Sequence, residues 1–172
     1  MTKILTRKSR NRLKEYDYSQ TNHYFVTICG NNRKEWFGEI KNNEMTVNNY
    51  GNIIKQKWEW LPQQYSYIGL DEYIIMPNHL HGILIINKRT GRDLSLQIKI
   101  KSLSSLIGAF KITSSKLIHQ NGLSDFTWQQ SFHDHIIRND KSLHNIREYI
   151  RNNPATWDND EENINCITSQ SS

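Results

Sequence analysis

The sequence predicts an α+β domain in which an antiparallel sheet carries helices mainly on one face. Short runs rich in β-branched and aromatic residues alternate with amphipathic runs of helical periodicity, and no glycine-rich phosphate loop follows a strand. The length of 172 residues fits one domain with a core of its own. The longest apolar run, Ile83–Ile86, is far shorter than the roughly 20 residues that a membrane span needs, so we expect a soluble chain without a membrane partner.

The first half of the chain alternates strand and helix signals. Residues 23–29 (HYFVTIC) are aromatic and β-branched and predict a strand. Residues 36–40 and 44–47 flank an asparagine-rich turn and predict a hairpin. A helix should begin near Asn49 and end near Pro62, because proline cannot donate to the helical ladder. Its buried positions are predicted to be Ile54, Trp58 and Leu61.

The second half continues the alternation. Residues 67–76 and 79–86 predict two strands, and the apolar positions of residues 103–117 recur at helical spacing. Residues 128–137 are predicted to be extended, and a third helix should be capped by residue 139 or 140. The buried stripe of this third helix is predicted to be Leu143, Ile146 and Ile150.

The charge distribution divides the chain into three parts. The chain has 22 Lys and Arg and 17 Asp and Glu, a formal net charge of +5. No base and four acids follow Trp157, so residues 1–157 carry 22 bases against 13 acids, a charge of +9. We predict a basic arm (1–16), a domain (17–157) and a polar, acidic tail (158–172) that is flexible. The excess of bases indicates a polyanionic partner.

Basic residues outside the predicted core are candidates for phosphate contacts. The alternative is a solvated surface whose charge serves solubility. The candidates are Arg7, Lys8, Arg10, Arg12, Lys14, Lys88, Arg89, Arg92, Arg138, Arg147 and Arg151. The two cysteines, Cys29 and Cys166, form no metal-binding or disulfide pattern, which favours a reducing cytoplasm.

His79 and His81 form the most informative pattern. They are two residues apart in a predicted strand, so their side chains share one face and could bind one metal ion. The alternative is two ordinary polar residues on the exposed side of an edge strand. His133 and His135 form a second pair of this kind, for which a phosphate contact or packing is favoured over metal binding.

The third helix offers further polar groups. Tyr149 and Asn153 are four residues apart and lie beside its apolar stripe, and Pro154 should end the helix near the amide. The alternative is a tyrosine at the boundary of the buried face and an asparagine at the helix end.

Together these motifs resemble the REP-associated tyrosine transposases, a branch of the single-tyrosine HUH transposase superfamily. The resemblance covers roughly residues 7–157. It depends on four motifs, which are Phe25–Cys29, His79-Leu80-His81, His135–Asn139 and the run Tyr149-Ile150-Arg151-Asn152-Asn153-Pro154.

The resemblance implies a ferredoxin-like sheet with His79 and His81 on its central strand. It also implies that Tyr149 is the nucleophile and that Asn153 is the third metal ligand. Mg2+ or Mn2+ is expected, because zinc favours a closed tetrahedral site.

The resemblance further implies an enzyme that cuts and rejoins single-stranded hairpin DNA of the REP type through a 5'-phosphotyrosine, in transposition or repeat processing. Such an enzyme would work in the cytoplasm, at the nucleoid, as a monomer or homodimer. Two alternatives stay open: a hairpin-binding module of DNA or RNA that no longer cuts, and a phosphodiesterase that uses water.

Overall fold

A computed structural model describes residues 17–87, 99–160 and 162–163. Within these ranges, no helix combines the length and apolar character needed to cross a membrane. The strands are β1 (Asn22–Cys29), β2 (Gly38–Lys41), β3 (Glu44–Val47), β4 (Ile68–Ile75), β5 (His79–Ile86) and β6 (His133–Ile137). The α-helices are α1 (Asn49–Gln64), α2 (Leu103–Gln120) and α3 (Asp140–Asn152), and a 3-10 helix covers Pro154–Asn159.

The main sheet has four strands in the order β4-β5-β1-β6, and every neighbouring pair is antiparallel. Helix α1 connects β1 to β4 and helix α2 lies between β5 and β6 in the chain. This is the βαββαβ arrangement of the ferredoxin-like fold, so the predicted fold class is confirmed. The strands β2 and β3 form a separate hairpin.

One face of the sheet is covered by α1 and α2. Trp58 of α1 and Phe110 of α2 are both fully buried, with ring centroids 5.4 Å apart. They pack in one cluster with Leu80 and Leu84 of β5. Gly82 lies between these leucines, and a Cβ there would be 2.7 Å from a ring carbon of Trp58. The absence of a side chain therefore lets the indole pack directly against the strand backbone.

The opposite face of the sheet is covered by α3. Ile146 and Ile150 of α3 form a second, smaller apolar cluster with Ile83 of β5 and Ile137 of β6. The side chain of Asn139 accepts a hydrogen bond from the backbone N–H of Ser142 and caps the helix, as its sequence position predicted. Two helices therefore lie on one face and the third lies alone on the other.

Three local predictions are corrected by the structure. Helix α1 continues through Pro62 to Gln64. Proline lacks one backbone N–H donor, and a helix tolerates the loss of this single hydrogen bond in its last turn. Strand β6 begins only at His133, and Trp128 forms an isolated bridge with Gly30. The first hairpin strand begins at Gly38, two residues after the predicted start at Trp36.

Candidate active site

His79 and His81 lie on the face of β5 that α3 covers. They pair across the sheet with Cys29 and Thr27 of β1 and are 0% and 3% exposed. Their ring centroids are 4.3 Å apart. The predicted common face is therefore observed, and the burial of both rings rules out the alternative of an exposed edge.

The hydrogen bonds of Asn78 determine the tautomer of His79. The amide nitrogen of Asn78 donates to the backbone carbonyls of Arg33 (3.2 Å) and Glu162 (2.7 Å). Its amide oxygen therefore faces Nδ1 of His79, 2.8 Å away, and can only accept. Nδ1 must carry the proton, so Nε2 of His79 presents its lone pair. Nε2 is buried and has no hydrogen-bond partner among the described residues.

The ring of His81 is held by two residues of β1. Its Nδ1 shares a hydrogen bond of 2.9 Å with the hydroxyl of Thr27. Phe25, two residues earlier on β1, stacks on the imidazole with ring centroids 5.5 Å apart and an interplanar angle of 29°. These contacts fix the ring plane of His81 beside that of His79.

Burial keeps both imidazoles neutral. It lowers the pKa of His79 to about 3. Burial also lowers the pKa of His81 well below its usual range, and the neighbouring His79 adds to this effect while Asp160 opposes it. Neutral imidazoles are the form that binds metal ions.

Tyr149 lies above His81, on α3. Its hydroxyl is 3.4 Å from Nε2 of His81, and its ring packs edge-on against Phe25 with centroids 6.0 Å apart. The side chain is 38% exposed. A phenol in this position contacts His81 on one side and solvent on the other, so a substrate can reach it.

Asp160 completes the cluster beyond the end of α3. One ring nitrogen of each histidine and one carboxylate oxygen of Asp160 lie within 4.8 Å of one another. The amide nitrogen of Asn153 donates to the same carboxylate at 3.3 Å. The amide oxygen of Asn153 is buried without a hydrogen-bond partner in the described part of the chain.

The donor set fits a divalent metal ion. Two neutral imidazole nitrogens, a carboxylate and an amide oxygen are ligands that such ions accept. The two buried acceptors without partners, Nε2 of His79 and the amide oxygen of Asn153, are the atoms that an ion would satisfy. Asp160 thus joins the predicted pair of histidines, and the predicted amide of Asn153 contacts this cluster through its hydrogen bond to Asp160.

The chain stays packed beyond the predicted domain boundary at Trp157. The 3-10 helix that begins at Pro154 turns the chain back under His79, where the Trp157 ring lies 6.0 Å from the imidazole. Glu162 and Asn163 are buried, and Asn163 donates to the carbonyl of Trp157 at 2.9 Å. Glu162 and Asn163, which lie in the predicted tail 158–172, are thus packed against the domain.

The arginines of α3 are paired with carboxylates. Arg147 donates to both oxygens of Asp71, at 2.9 and 2.5 Å. Arg151 contacts Glu72 and Glu148. Arg138 is exposed at the end of β6. The remaining predicted phosphate contacts lie outside the described residues: Arg7, Lys8, Arg10, Arg12, Lys14, Lys88, Arg89 and Arg92.

The second histidine pair borders the same face without joining the cluster. His133 and His135 of β6 pair with Thr27 and Phe25 of β1, so both point to the α3 side of the sheet. The donor group formed by His79, His81 and Asp160 includes neither of them. Burial and the nearby Arg138 lower the pKa of His135.

Sequence reasoning missed three residues of the site. Thr27 could have been found, since it lies among the apolar residues 25–29 of β1 and a buried hydroxyl needs a polar partner. Asn78 adjoins the predicted metal pair, but its role depends on two carbonyls far away in sequence. Asp160 gave no local signal, because its place depends on the turn made by the 3-10 helix.

Comparisons with known proteins find a relative in sequence and two solved structures of similar fold. No established protein-family signature matches the sequence. An uncharacterized protein of Haemophilus influenzae is 38% identical over 161 residues, which cover 87% of this chain and 89% of that protein.

Two solved structures share the fold. One is a REP-associated tyrosine transposase bound to a REP hairpin, with a TM-score of 0.60 and 19% identity over 86% of this chain and 74% of that one. The other is a candidate transposase from Deinococcus radiodurans, with a TM-score of 0.50 and 14% identity over 84% and 96%. The predicted resemblance is confirmed at the level of the fold. The chain therefore belongs to one family with the Haemophilus influenzae protein and has the fold of the REP-associated tyrosine transposases.

Proposed function

We propose that the protein is a metal-dependent single-stranded DNA endonuclease and strand transferase that acts on hairpin DNA through Tyr149. The observation that carries the proposal is the hydroxyl of Tyr149, 3.4 Å from Nε2 of His81, beside a cluster of potential metal ligands. A partly exposed nucleophile next to neutral, buried histidines is suited to attack on a phosphate that approaches from solvent.

The ion would be held by His79, His81 and Asp160, with Asn153 either as a further ligand or as the group that orients the carboxylate. A divalent ion at this site supplies Lewis-acid stabilisation of the charge on the phosphate oxygens. The mixed nitrogen and oxygen donors and the nearby solvent favour Mg2+ or Mn2+ over a closed zinc site.

Tyr149 performs the strand cleavage. Its phenolic oxygen forms a bond to phosphorus as the bond to the 3' oxygen of the preceding nucleotide breaks. The phenol loses its proton to solvent, and the departing 3' oxygen takes up a proton. The products are a 5'-phosphotyrosine and a 3'-hydroxyl strand end. Because the phosphodiester energy is kept in the new bond, attack by a second 3'-hydroxyl reverses the step and joins two strands.

The substrate we propose is a hairpin with a single-stranded flank. One structural neighbour is a transposase bound to a REP hairpin, and the chain has a basic body of +9 before its acidic end. Arg138 at the end of β6 and the basic residues of the arm 1–16 would contact phosphates. Such an enzyme would work at the nucleoid. Of the acidic residues after Trp157, Asp160 would serve as a metal ligand.

The test is capture of a covalent adduct. The protein is incubated with hairpin oligonucleotides and Mn2+ or Mg2+, and protein-linked DNA is separated by denaturing electrophoresis. We expect an adduct with the wild type and none with Tyr149→Phe. Tyr50→Phe, a tyrosine on α1, is the matched control and should retain the adduct.

The outcomes distinguish the alternatives. Equal adduct in wild type and Tyr149→Phe would refute Tyr149 as the nucleophile. Cleavage without a protein-linked product would indicate a phosphodiesterase that uses water. Hairpin binding without any cleavage would indicate a binding module.

A further inference from the structure

Strand β4 contains a bulge at two consecutive acidic residues. Leu70 pairs with Leu84 of β5, but Tyr73 pairs with Gly82, so Asp71 and Glu72 together oppose a single residue of β5. An extra residue of this kind locally bends a strand and redirects its side chains.

The bulge changes which face of the sheet the side chains of Asp71 and Glu72 can occupy. Leu70 and Tyr73 both pack against the core that α1 and α2 cover, although three positions separate them and a regular strand would place them on opposite faces. The side chains of the two residues between them can therefore both lie on the face that α3 covers. In a regular strand, Asp71 and Glu72 would point in opposite directions.

Both carboxylates meet α3. Arg147 forms a bidentate pair with Asp71, at 2.9 and 2.5 Å, and one turn later Arg151 donates to Glu72 through Nε at 3.0 Å. The side chain of Asp71 is only 13% exposed, so solvent screens its pair less than a surface pair. The Arg147 guanidinium holds the pKa of Asp71 below its usual range.

Tyr149 lies midway between the two arginines. At 100° per residue its side chain lies about 160° around the helix from each of them, and it points toward the sheet centre and His81. The apolar contacts of Ile146 and Ile150 hold α3 against the sheet without fixing its rotation, since such contacts are not directional. A bidentate pair with an arginine is directional.

We propose that Asp71 and Glu72 are positioning residues for Tyr149, and that Arg147 and Arg151 pair with these carboxylates rather than with phosphates. We call these four residues the clamp. It sets the rotation and axial position of α3, and hence the distance from the Tyr149 hydroxyl to His81. Its role in catalysis rests on the proposed function, whereas its role in holding α3 does not.

The clamp is tested by amide hydrogen exchange on the full chain without metal or DNA. In Asp71→Asn, the amides of α3 should exchange roughly tenfold faster than in wild type, while those of α1 and α2 stay unchanged. Glu39→Gln is the matched control, because it removes an acid from an exposed pair with Lys41 and should leave α3 unchanged. The exchanged pair Asp71→Arg with Arg147→Asp should restore slow exchange.

Exchange in α3 within twofold of wild type for Asp71→Asn would overturn the proposal. If that variant does not fold, Arg147→Lys keeps the charge, loses the bidentate geometry and should show the same acceleration. An unchanged α3 in Arg147→Lys would equally overturn it.

A second measurement separates the clamp from DNA binding. Asp71→Asn should slow adduct formation at saturating hairpin and leave hairpin affinity unchanged, and Arg147→Gln should do the same. Weaker hairpin binding in Arg147→Gln alone would assign Arg147 to the phosphates and overturn the clamp. If the wild type forms no adduct, the proposed function fails, while hydrogen exchange still decides whether the clamp holds α3.

Discussion

The two faces of the sheet use the same strands for different purposes. Toward α1 and α2, β5 presents Leu80 and Leu84, which belong to the large apolar cluster around Trp58. Toward α3, the same strand presents His79 and His81, and only Ile83 continues an apolar contact. A strand buried on both faces normally carries apolar residues throughout. Two buried imidazoles on such a strand therefore point to a task other than packing.

The two faces also contribute differently to stability and to the proposed chemistry. Removing apolar atoms from the core face leaves a cavity that the surrounding residues fill poorly. On the α3 face, the buried Nε2 of His79 has no partner among the described residues, so replacing His79 by an apolar side chain of similar size removes a potential metal ligand while keeping the site filled. Variants on the two faces should therefore affect different properties.

The largest effect on stability is expected from Trp58→Ala. Trp58 is fully buried between α1, α2 and Gly82, so its truncation should lower the free energy of unfolding by about 3–5 kcal/mol. Tyr149→Phe on the opposite face should change it by less than about 0.5 kcal/mol. Urea unfolding followed by circular dichroism measures both, and similar losses in the two variants would contradict the division of roles.

His79→Leu should remove stabilisation by metal. For the wild type, Mn2+ at 100 times its dissociation constant should add about 2.7 kcal/mol, seen as a rise in melting temperature. The variant should melt near the metal-free wild type and show no rise with Mn2+. His144→Ala, an exposed histidine of α3, is the control and should respond like wild type. An unchanged rise in His79→Leu would show that the ion binds elsewhere.

Asn78→Ala should weaken metal binding without abolishing it. The substitution removes the acceptor that keeps the proton on Nδ1 of His79, and loss of such an outer partner typically costs 10–100-fold in affinity. Titration calorimetry with Mn2+ measures the change. Asn121→Ala, at the end of α2, should leave the affinity unaltered. Equal affinities for wild type and Asn78→Ala would show that the tautomer is set by another group.

The smallest effect concerns acid pH. The folded pKa of Asp71 lies below the unfolded value of about 3.9, so its pair stabilises the fold fully above that pH. The contribution is lost as the pH falls through the folded pKa. The stability difference between wild type and Asp71→Asn should therefore be constant near neutral pH and shrink below about pH 4. A difference that does not shrink at all below about pH 4 would contradict this expectation.

Local patterns predicted most of the elements and four residues of the candidate site. Strand alternation placed His79 and His81 on one face, and helical spacing put Tyr149 and Asn153 beside the buried stripe of α3. These predictions succeeded because they depend on residues near one another in sequence.

The missed features depend on contacts between distant segments. The β4 bulge exists only in the register with β5, and sequence alternation cannot show that Asp71 and Glu72 oppose one residue. Asp160 resembles a residue of a solvated acidic tail until the turn after Pro154 brings it to the histidines. The carboxylate partners of Arg147 and Arg151 lie on β4 and cannot be inferred from the sequence of α3 alone.

The central claim is that Tyr149 becomes covalently linked to DNA. It is tested most directly by digesting the protein after reaction with a hairpin and Mn2+, and mapping the attached nucleotide by mass spectrometry. We expect a nucleotide linked through its 5'-phosphate to the peptide that contains Tyr149, and no such adduct in reactions with chelator. A nucleotide attached to any other residue, or hairpin cleavage with an unmodified Tyr149 peptide throughout the reaction, would contradict it.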